Sequence, residues 1–180
     1  MSADALAGRS VAVLGLDVTS QPPELITEAC VLHLVNGVIV AGPLTWWVQV
    51  DAPAGHLRPG LRASLPLAPP WAEVADRLTG ALAGRLLVVR DAERYATLRR
   101  HLPAWQPPAV ATVRDLAEQV WPGLDGYDLG PLTQWTGITL VPRPGPGAVA
   151  EAHALASLLL ALTRAGGRLP DDEERTTDDA

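Results

Sequence analysis

Leu25–Val40, LITEACVLHLVNGVIV, is the stretch that decides how the chain is arranged. Two apolar, β-branched runs flank Asn36-Gly37. That dipeptide is the strongest short hairpin signal, because both central residues of a tight two-residue turn need a positive φ. We therefore read a strand over Leu25–Val35, a turn, and a return strand from Val38 towards Val50, interrupted near Gly42-Pro43. Upstream, Ser10–Leu16 alternates and is valine-rich, which predicts another buried strand. Thr19–Glu24, with Pro22 and Pro23, is the turn between them. Three antiparallel strands open the fold.

Downstream, the pattern changes. Ala52–Pro70 is rich in proline and glycine and reads as a long loop, functional or mobile. From Trp71 the apolar residues Val74, Leu78 and Leu82 fall on one helical face, and Gly84 ends that helix. Arg85–Val89 is a short apolar strand, followed by a helix from Ala92 to Leu102. Ala109–Val113 reads as a strand and Asp115–Trp121 as a short helix stopped by Pro122. Leu129–Trp135 and Ala148–Thr163 are the last two helices. Antiparallel strands followed by alternating helices and strands predict one α/β domain, a mixed sheet with helices on its faces. We place an N-terminal extension at 1–9, the domain at 10–166 and an acidic disordered tail at 167–180.

The 180 residues, 48% hydrophobic, are enough for one substantial core. The net charge of −6 is uneven, since residues 171–180 (DDEERTTDDA) hold six acids and one arginine. The remaining body, with 14 acids and 13 arginines, is almost neutral. A body without excess positive charge is poorly equipped for tight nonspecific nucleic-acid binding, which comes mostly from phosphate neutralisation. One cysteine, Cys30, excludes an internal disulfide and a cysteine-based zinc site, and its apolar setting predicts a buried thiol. Met1–Ser10 has no basic start followed by an apolar run, and the last helix carries Glu151 and His153, so we expect a cytoplasmic protein without a membrane span. No phosphate-cradling glycine loop, Gly-x-Ser-x-Gly elbow or paired His/Cys set occurs.

Four segments carry a resemblance: Val11–Ser20 (VAVLGLDVTS), Leu86–Leu98 (LLVVRDAERYATL), a helix pair around Gly126–Ile138 (GYDLGPLTQWTGI) and Gly147–Leu162 (GAVAEAHALASLLLAL). In order and spacing they resemble the DnaQ-like (DEDDh) 3′–5′ exonucleases of the ribonuclease-H-like superfamily, over roughly Ser10 to Ala165. The resemblance implies that fold. In the family, carboxylates and one histidine on these segments hold two metal ions, Mg²⁺ or Mn²⁺, and activate water.

At the corresponding positions this chain differs. The family's first strand ends in Asp-x-Glu-Thr-Thr-Gly. One register sets Gly15 at the aspartate and Asp17 at the glutamate. A register one residue earlier sets Leu14 and Leu16 there and leaves no acid. The family's His-Asn-Ala-x-Phe-Asp stretch corresponds to Arg90–Tyr95, so Arg90 replaces the histidine and Tyr95 the third carboxylate. The last motif, His then Asp five residues later, falls on Pro146 and Glu151. His153, two residues beyond Glu151, faces elsewhere on a helix.

Two Mg²⁺ ions about 3.5–4 Å apart need several converging carboxylates. Asp17 and Glu151 are the surviving candidate metal ligands, and each has a structural alternative, a turn or capping role for Asp17 and a helix-dipole role for Glu151. Arg90 and Arg94, four residues apart, are candidates to grip phosphate, or else belong to a solvated face with Asp91 and Glu93. Trp46 and Trp47 alternate across a strand, so one is expected buried and the other exposed, as core or as a stacking or protein-binding surface. The leading expectation is a degenerate exonuclease homologue without hydrolysis or resident cofactor, binding single-stranded nucleic acid or a DNA-processing protein. In that case Leu14, Leu16 and Tyr95 are expected to fill the old cleft. The alternatives are an active metal-dependent 3′–5′ exonuclease, with missing ligands supplied by Asp91, Glu93 or a partner chain, and a protein-interaction scaffold using Trp46–Trp47 and the Ala52–Pro70 loop.

Overall fold

In the computed structural model, residues 5–58, 65–138 and 147–170 are described. Three strands come first: β1 (Ser10–Val18), β2 (Ile26–Val35) and β3 (Val38–Trp47). Asn36 and Gly37 both have positive φ, 51° and 74°, as the tight hairpin turn requires. After single 3₁₀ turns at Ala54–His56 and Leu65–Leu67 come α1 (Trp71–Leu82), β4 (Leu86–Val89), α2 (Ala92–His101) and β5 (Val110–Thr112). Three helices, α3 (Val113–Val120), α4 (Leu129–Thr136) and α5 (Ala148–Arg164), complete the body. The strand order is β3-β2-β1-β4-β5, antiparallel across β3, β2 and β1 and parallel across β1, β4 and β5. The predicted mixed α/β architecture is therefore present. β3 ends at Trp47, short of the expected Val50, and bends where its register against β2 shifts around His33.

Strand alternation divides the core in two. Val11 and Val13 of β1, with Cys30, Leu32 and Leu34 of β2, face α3, α4 and α5. Ala12, Leu14 and Leu16, with Ala29 and Val31, face α1 and α2. The α1 residues Val74, Leu78 and Leu82 are buried on that second face, at the spacing read from the sequence. Helix α5 crosses β1 and β2 through small residues, Ala148, Ala152 and Ala156, all buried. Spaced four apart, they form a flat stripe that lets the helix approach the sheet closely. Packing does not stop at residues 10 and 166: Leu6 and Leu169 are buried in the first core, and Arg9 Nη1 donates to the Pro170 carbonyl at 2.7 Å. The acidic stretch 171–180 lies outside the described residues. No helix among the described residues is long and apolar enough to cross a membrane.

Candidate functional site

The site lies where β1 outruns β4. Their pairing ends at Val13↔Val88, while β1 continues to Val18. The end of β1, the residues after β4 and the start of α5 meet there. Gly15 and Asp17 both point to the α5 side, whereas Leu14 and Leu16 are buried on the opposite side against α1 and α2. Tyr95 also packs on the α1/α2 side. The expectation that Leu14, Leu16 and Tyr95 fill the cleft is thus corrected. Alternation around Gly15 sends Leu14 and Leu16 through the sheet, and the face of α2 that carries Tyr95 turns toward the same layer.

What stands over Gly15 is the backbone of α5. A Cβ on Gly15 would lie 2.7 Å from the Ala152 nitrogen and closer still to the Ala148 carbonyl oxygen. No side chain fits there, so no carboxylate could stand there without moving the helix.

Asp17 pairs across the strands with Glu28, and both side chains project to the α5 face. Carboxylates directly opposite one another repel. Arg58 separates them: its Nε donates to Asp17 Oδ2 at 3.0 Å and its Nη2 to Glu28 Oε2 at 3.0 Å. Thr27 Oγ1 donates to Asp17 Oδ2 at 3.3 Å and Trp47 Nε1 to Glu28 Oε1 at 3.3 Å. The backbone N–H of Ala148, the first residue of α5, donates to Glu28 Oε2 at 3.2 Å. A carboxylate from β2 therefore caps this helix and meets the positive end of its dipole. Gly147 makes the approach possible, since a Cβ there would lie 2.7 Å from Glu28 Oε2 and 2.8 Å from Arg58 Nη2.

Glu151, one turn into α5, reaches back to the open edge of β1. Its Oε2 accepts from the Leu16 N–H at 2.8 Å, satisfying a backbone donor that β4 no longer covers. Its Oε1 lies 3.6 Å from Arg90 Nη1 and has no hydrogen bond. Burial raises the pKa of Glu151, and the Leu16 N–H and the Arg90 charge offset only part of that rise. Arg90 Nε donates to Asp91 Oδ2 at 2.7 Å, and Asp91 Oδ1 caps α2 by accepting from Arg94 N at 2.8 Å. Burial alone would raise the Asp91 pKa, but these hydrogen bonds and the two arginine charges bring it below the ordinary range. For Arg90, burial works against the charged form, and Asp91 and Glu151 outweigh it to raise the pKa. Arg94 Nη1 lies 3.9 Å from Glu24 Oε1, and its Nε is buried without a partner.

Asp17 and Glu151 are therefore drawn into separate arginine-bridged clusters, Asp17–Arg58–Glu28 and Glu151–Arg90–Asp91. Among the described residues no group of three or more His, Cys, Asp or Glu side chains is placed to hold a metal ion. Most carboxylate oxygens of these clusters are already engaged by arginine, backbone or indole donors, so the residues present do not fit a pair of divalent ions. Glu93 and His153 are exposed. Pro146 lies outside the described residues.

Glu28 and Arg58 were not singled out from the sequence. Glu28 had a readable signal: in alternation it shares a face with Cys30, Leu32 and Leu34, and a charge on a buried apolar face is informative. Arg58 had none, being one arginine in a long loop. Beside the cluster, Trp47 is 47% exposed while Trp46 is half-buried against the second core. Trp46, Trp47, Leu67, Pro69 and Arg77 line a groove of about 530 Å³.

Comparison with solved structures places the same architecture elsewhere. Exonuclease X, solved in complex with 5′-overhanging duplex DNA, is similar with a TM-score of 0.67 at 20% identity, covering 87% of this chain and 93% of that one. A structure of exonuclease I is similar with a TM-score of 0.69 at 12% identity, covering 87% of this chain and 41% of that one. E. coli exonuclease I in complex with a dT13 oligonucleotide is similar with a TM-score of 0.66 at 13% identity, covering 86% of this chain and 41% of that one. The chain thus spans less than half the length of the exonuclease I chains it matches. No protein-family model and no curated protein matches. In strand order, helix placement and these likenesses, the chain has the ribonuclease-H-like fold of the DnaQ-type exonucleases.

Proposed function

We propose that this protein is a non-hydrolytic homologue of the 3′–5′ exonucleases, which uses the fold to bind rather than to cut. The observation that carries this reading is Gly15. In the register that sets Gly15 at the family's metal-bridging aspartate, that position lies under the α5 backbone, with 2.7 Å from a Cβ to the Ala152 nitrogen. Two-metal hydrolysis depends on converging carboxylates to hold both ions and align the displacement. Here Asp17 and Glu151 serve the fold instead, one paired through Arg58 to Glu28 and the other tied to the Leu16 N–H. The ligand class taken from the structural neighbours is DNA, since exonuclease X and exonuclease I were solved with DNA and an oligonucleotide. Arg90 contributes little to such binding while Asp91 and Glu151 neutralise it; the exposed Trp47 and Arg77 are the better-placed groups for stacking and phosphate contact.

The test is incubation of a 3′-terminal single-stranded oligonucleotide with the purified protein in Mg²⁺ and in Mn²⁺, beside an EDTA control and an Asp17→Ala/Glu151→Ala variant. Fluorescence anisotropy of the same labelled strand reads binding. Retention of full-length strand with a saturable anisotropy rise is expected. Metal-dependent shortening that disappears in the variant overturns the reading in favour of an active enzyme.

A second reading, a protein-interaction module, is favoured by β3. This terminal strand of the sheet, VIVAGPLTWW, carries no charge, and no strand among the described residues pairs with its outer edge. Val38, Ile39, Val40, Leu44 and Trp47 are exposed along it. Edge strands are usually protected by charge or cover, and a bare apolar one is a template for a partner strand. Sedimentation of the protein with and without Val40→Arg tests this. Association that Val40→Arg abolishes supports it, and a monomer at all concentrations with oligonucleotide binding intact decides for the nucleic-acid reading.

A further inference from the structure

The geometry points to Arg58 as the resident cation of this cleft: its guanidinium does for Asp17 and Glu28 what a divalent ion would otherwise have to do, and so fixes the start of α5 over β1. Four observations converge on it. The two carboxylates face each other across β1 and β2 and are largely withdrawn from solvent, with side-chain exposures of 18% for Asp17 and 7% for Glu28. Left alone, that pair would repel in a medium that screens poorly. Arg58, itself only 19% exposed, donates one N–H to each carboxylate at 3.0 Å, using Nε for one and Nη2 for the other. A planar guanidinium presents these donors in a fixed fork, which lysine's single ammonium cannot. The residual negative charge of the triad meets the N-terminus of α5, whose Ala148 N–H donates to the same Glu28 oxygen that Arg58 holds.

The strap that delivers Arg58 is itself anchored. The His56 carbonyl accepts from Ser20 N at 3.0 Å, just past the end of β1. Gly147 leaves the space in which the guanidinium and Glu28 sit against the helix start. The arrangement is a built site with its cation covalently supplied by the chain. Arg58 is a positioning residue here, acting through Glu28 on α5.

This inference stands apart from the proposed function. Nuclease activity in the wild-type protein would sink that reading, whereas the Tm and Tb³⁺ response of the Arg58 variants reads the role of Arg58 directly. Conversely, a dispensable Arg58 would not restore hydrolysis.

The experiment compares wild type, Arg58→Lys, Arg58→Ala and Arg58→Ala/Glu28→Gln by thermal unfolding, with EDTA or Mn²⁺, and by tryptophan-sensitised Tb³⁺ luminescence. Trp47 donates to Glu28 and so provides an antenna at the site. For wild type we expect a Tm indifferent to EDTA and Mn²⁺ and no sensitised Tb³⁺ signal dependent on Glu28. Arg58→Ala is expected to lower Tm by about 10 °C, because an uncompensated carboxylate pair remains. It should also gain the Tb³⁺ signal and recover Tm with Mn²⁺, and both gains should vanish when Glu28→Gln is added. Arg58→Lys should fall between wild type and Arg58→Ala. If Arg58→Ala does not fold, the same comparison in an Asp17→Asn/Glu28→Gln background decides. There the loss of Arg58 should cost little, since no charges need bridging. An Arg58→Ala protein as stable as wild type, one that neither binds Tb³⁺ nor responds to Mn²⁺, or an equal cost in the neutral background overturns the proposal.

Discussion

Gly15→Ala measures how closely α5 sits on β1, and its cost follows from the geometry. The added Cβ would stand 2.7 Å from the Ala152 nitrogen, against a comfortable contact of about 3.5–4 Å. The obstructing atoms are helix backbone, and the Ala148 carbonyl oxygen is nearer still, so relief requires the first turns of α5 to retreat by more than about 1 Å. Overpacking of a well-filled core costs about 1–3 kcal/mol, and a backbone obstacle belongs at the upper end. Replacing glycine within a strand returns about 0.5–1 kcal/mol of conformational entropy, leaving about 2 kcal/mol net. For a domain of this size that is a Tm loss of about 4–8 °C. Gly80→Ala is the internal control. It sits on the exposed face of α1 with nothing within 4 Å of its would-be Cβ. There alanine should stabilise by about 1 kcal/mol and raise Tm by a few degrees. The assay is thermal unfolding of the three proteins by circular dichroism. A Gly15→Ala protein that matches or exceeds wild type would mean that α5 leaves room over β1. The case against a carboxylate at that position would fall with it. Gly15→Asp should be the more damaging change, adding an unpaired charge to the same clash, and it should confer no metal-dependent nuclease activity.

Further outcomes follow from the same contacts. Burial holds the Glu151 carboxyl above its ordinary range. Its contribution to stability is therefore full below the unfolded value of about 4.3 and is lost as pH rises through the folded value. Glu151→Gln keeps an acceptor for the Leu16 N–H. Urea unfolding from about pH 4 to about pH 7 should show wild type losing ground to the variant as pH rises, and a flat difference would refute this. Cys30 is fully buried, and burial first, with Glu28 adding to it and Thr45 opposing, pushes its thiol up to about 11. Alkylation at about pH 8 should then proceed only as fast as the protein opens, and labelling of folded protein within seconds would contradict it. Gly42 has φ +108° and a would-be Cβ 2.7 Å from the Val31 carbonyl oxygen, so Gly42→Ala should unfold at lower urea than wild type. Asp91→Ala removes the α2 cap and one partner of Arg90 together; a loss of about 1–2 kcal/mol or more in chemical denaturation is expected, and an unchanged midpoint would discount the cap.

Much of the architecture was legible because it rests on local rules. Asn36-Gly37 specifies a hairpin through backbone sterics alone, and the spacing of Val74, Leu78 and Leu82 specifies which side of α1 is buried. The order of four segments was sufficient to suggest the ribonuclease-H-like fold, which the likeness to exonuclease X and exonuclease I then supplied independently. The site was legible only in part. Gly15, Asp17, Arg90 and Glu151 could be named from motif positions. Their partners could not, because Glu28 and Arg58 lie 11 and 41 residues from Asp17 in the chain.

Sequence by itself determined the hairpin, the two-faced sheet and the amphipathic helices, since each depends on residues within a few positions of one another. It also fixed which side chains stand in the segments that carry the resemblance: Gly15 and Asp17 near the end of the first strand, Tyr95 on the helix after the fourth, and Pro146 and Glu151 around the start of the last helix. Only the tertiary structure decided what became of them. Leu14 and Leu16 went to the far side of the sheet, the α5 backbone closed over Gly15, and Arg58 came between Asp17 and Glu28. The reason is that a buried charge is resolved by whichever opposite charge the fold brings within about 4 Å, and that distance is set by packing across the sheet rather than by separation along the chain.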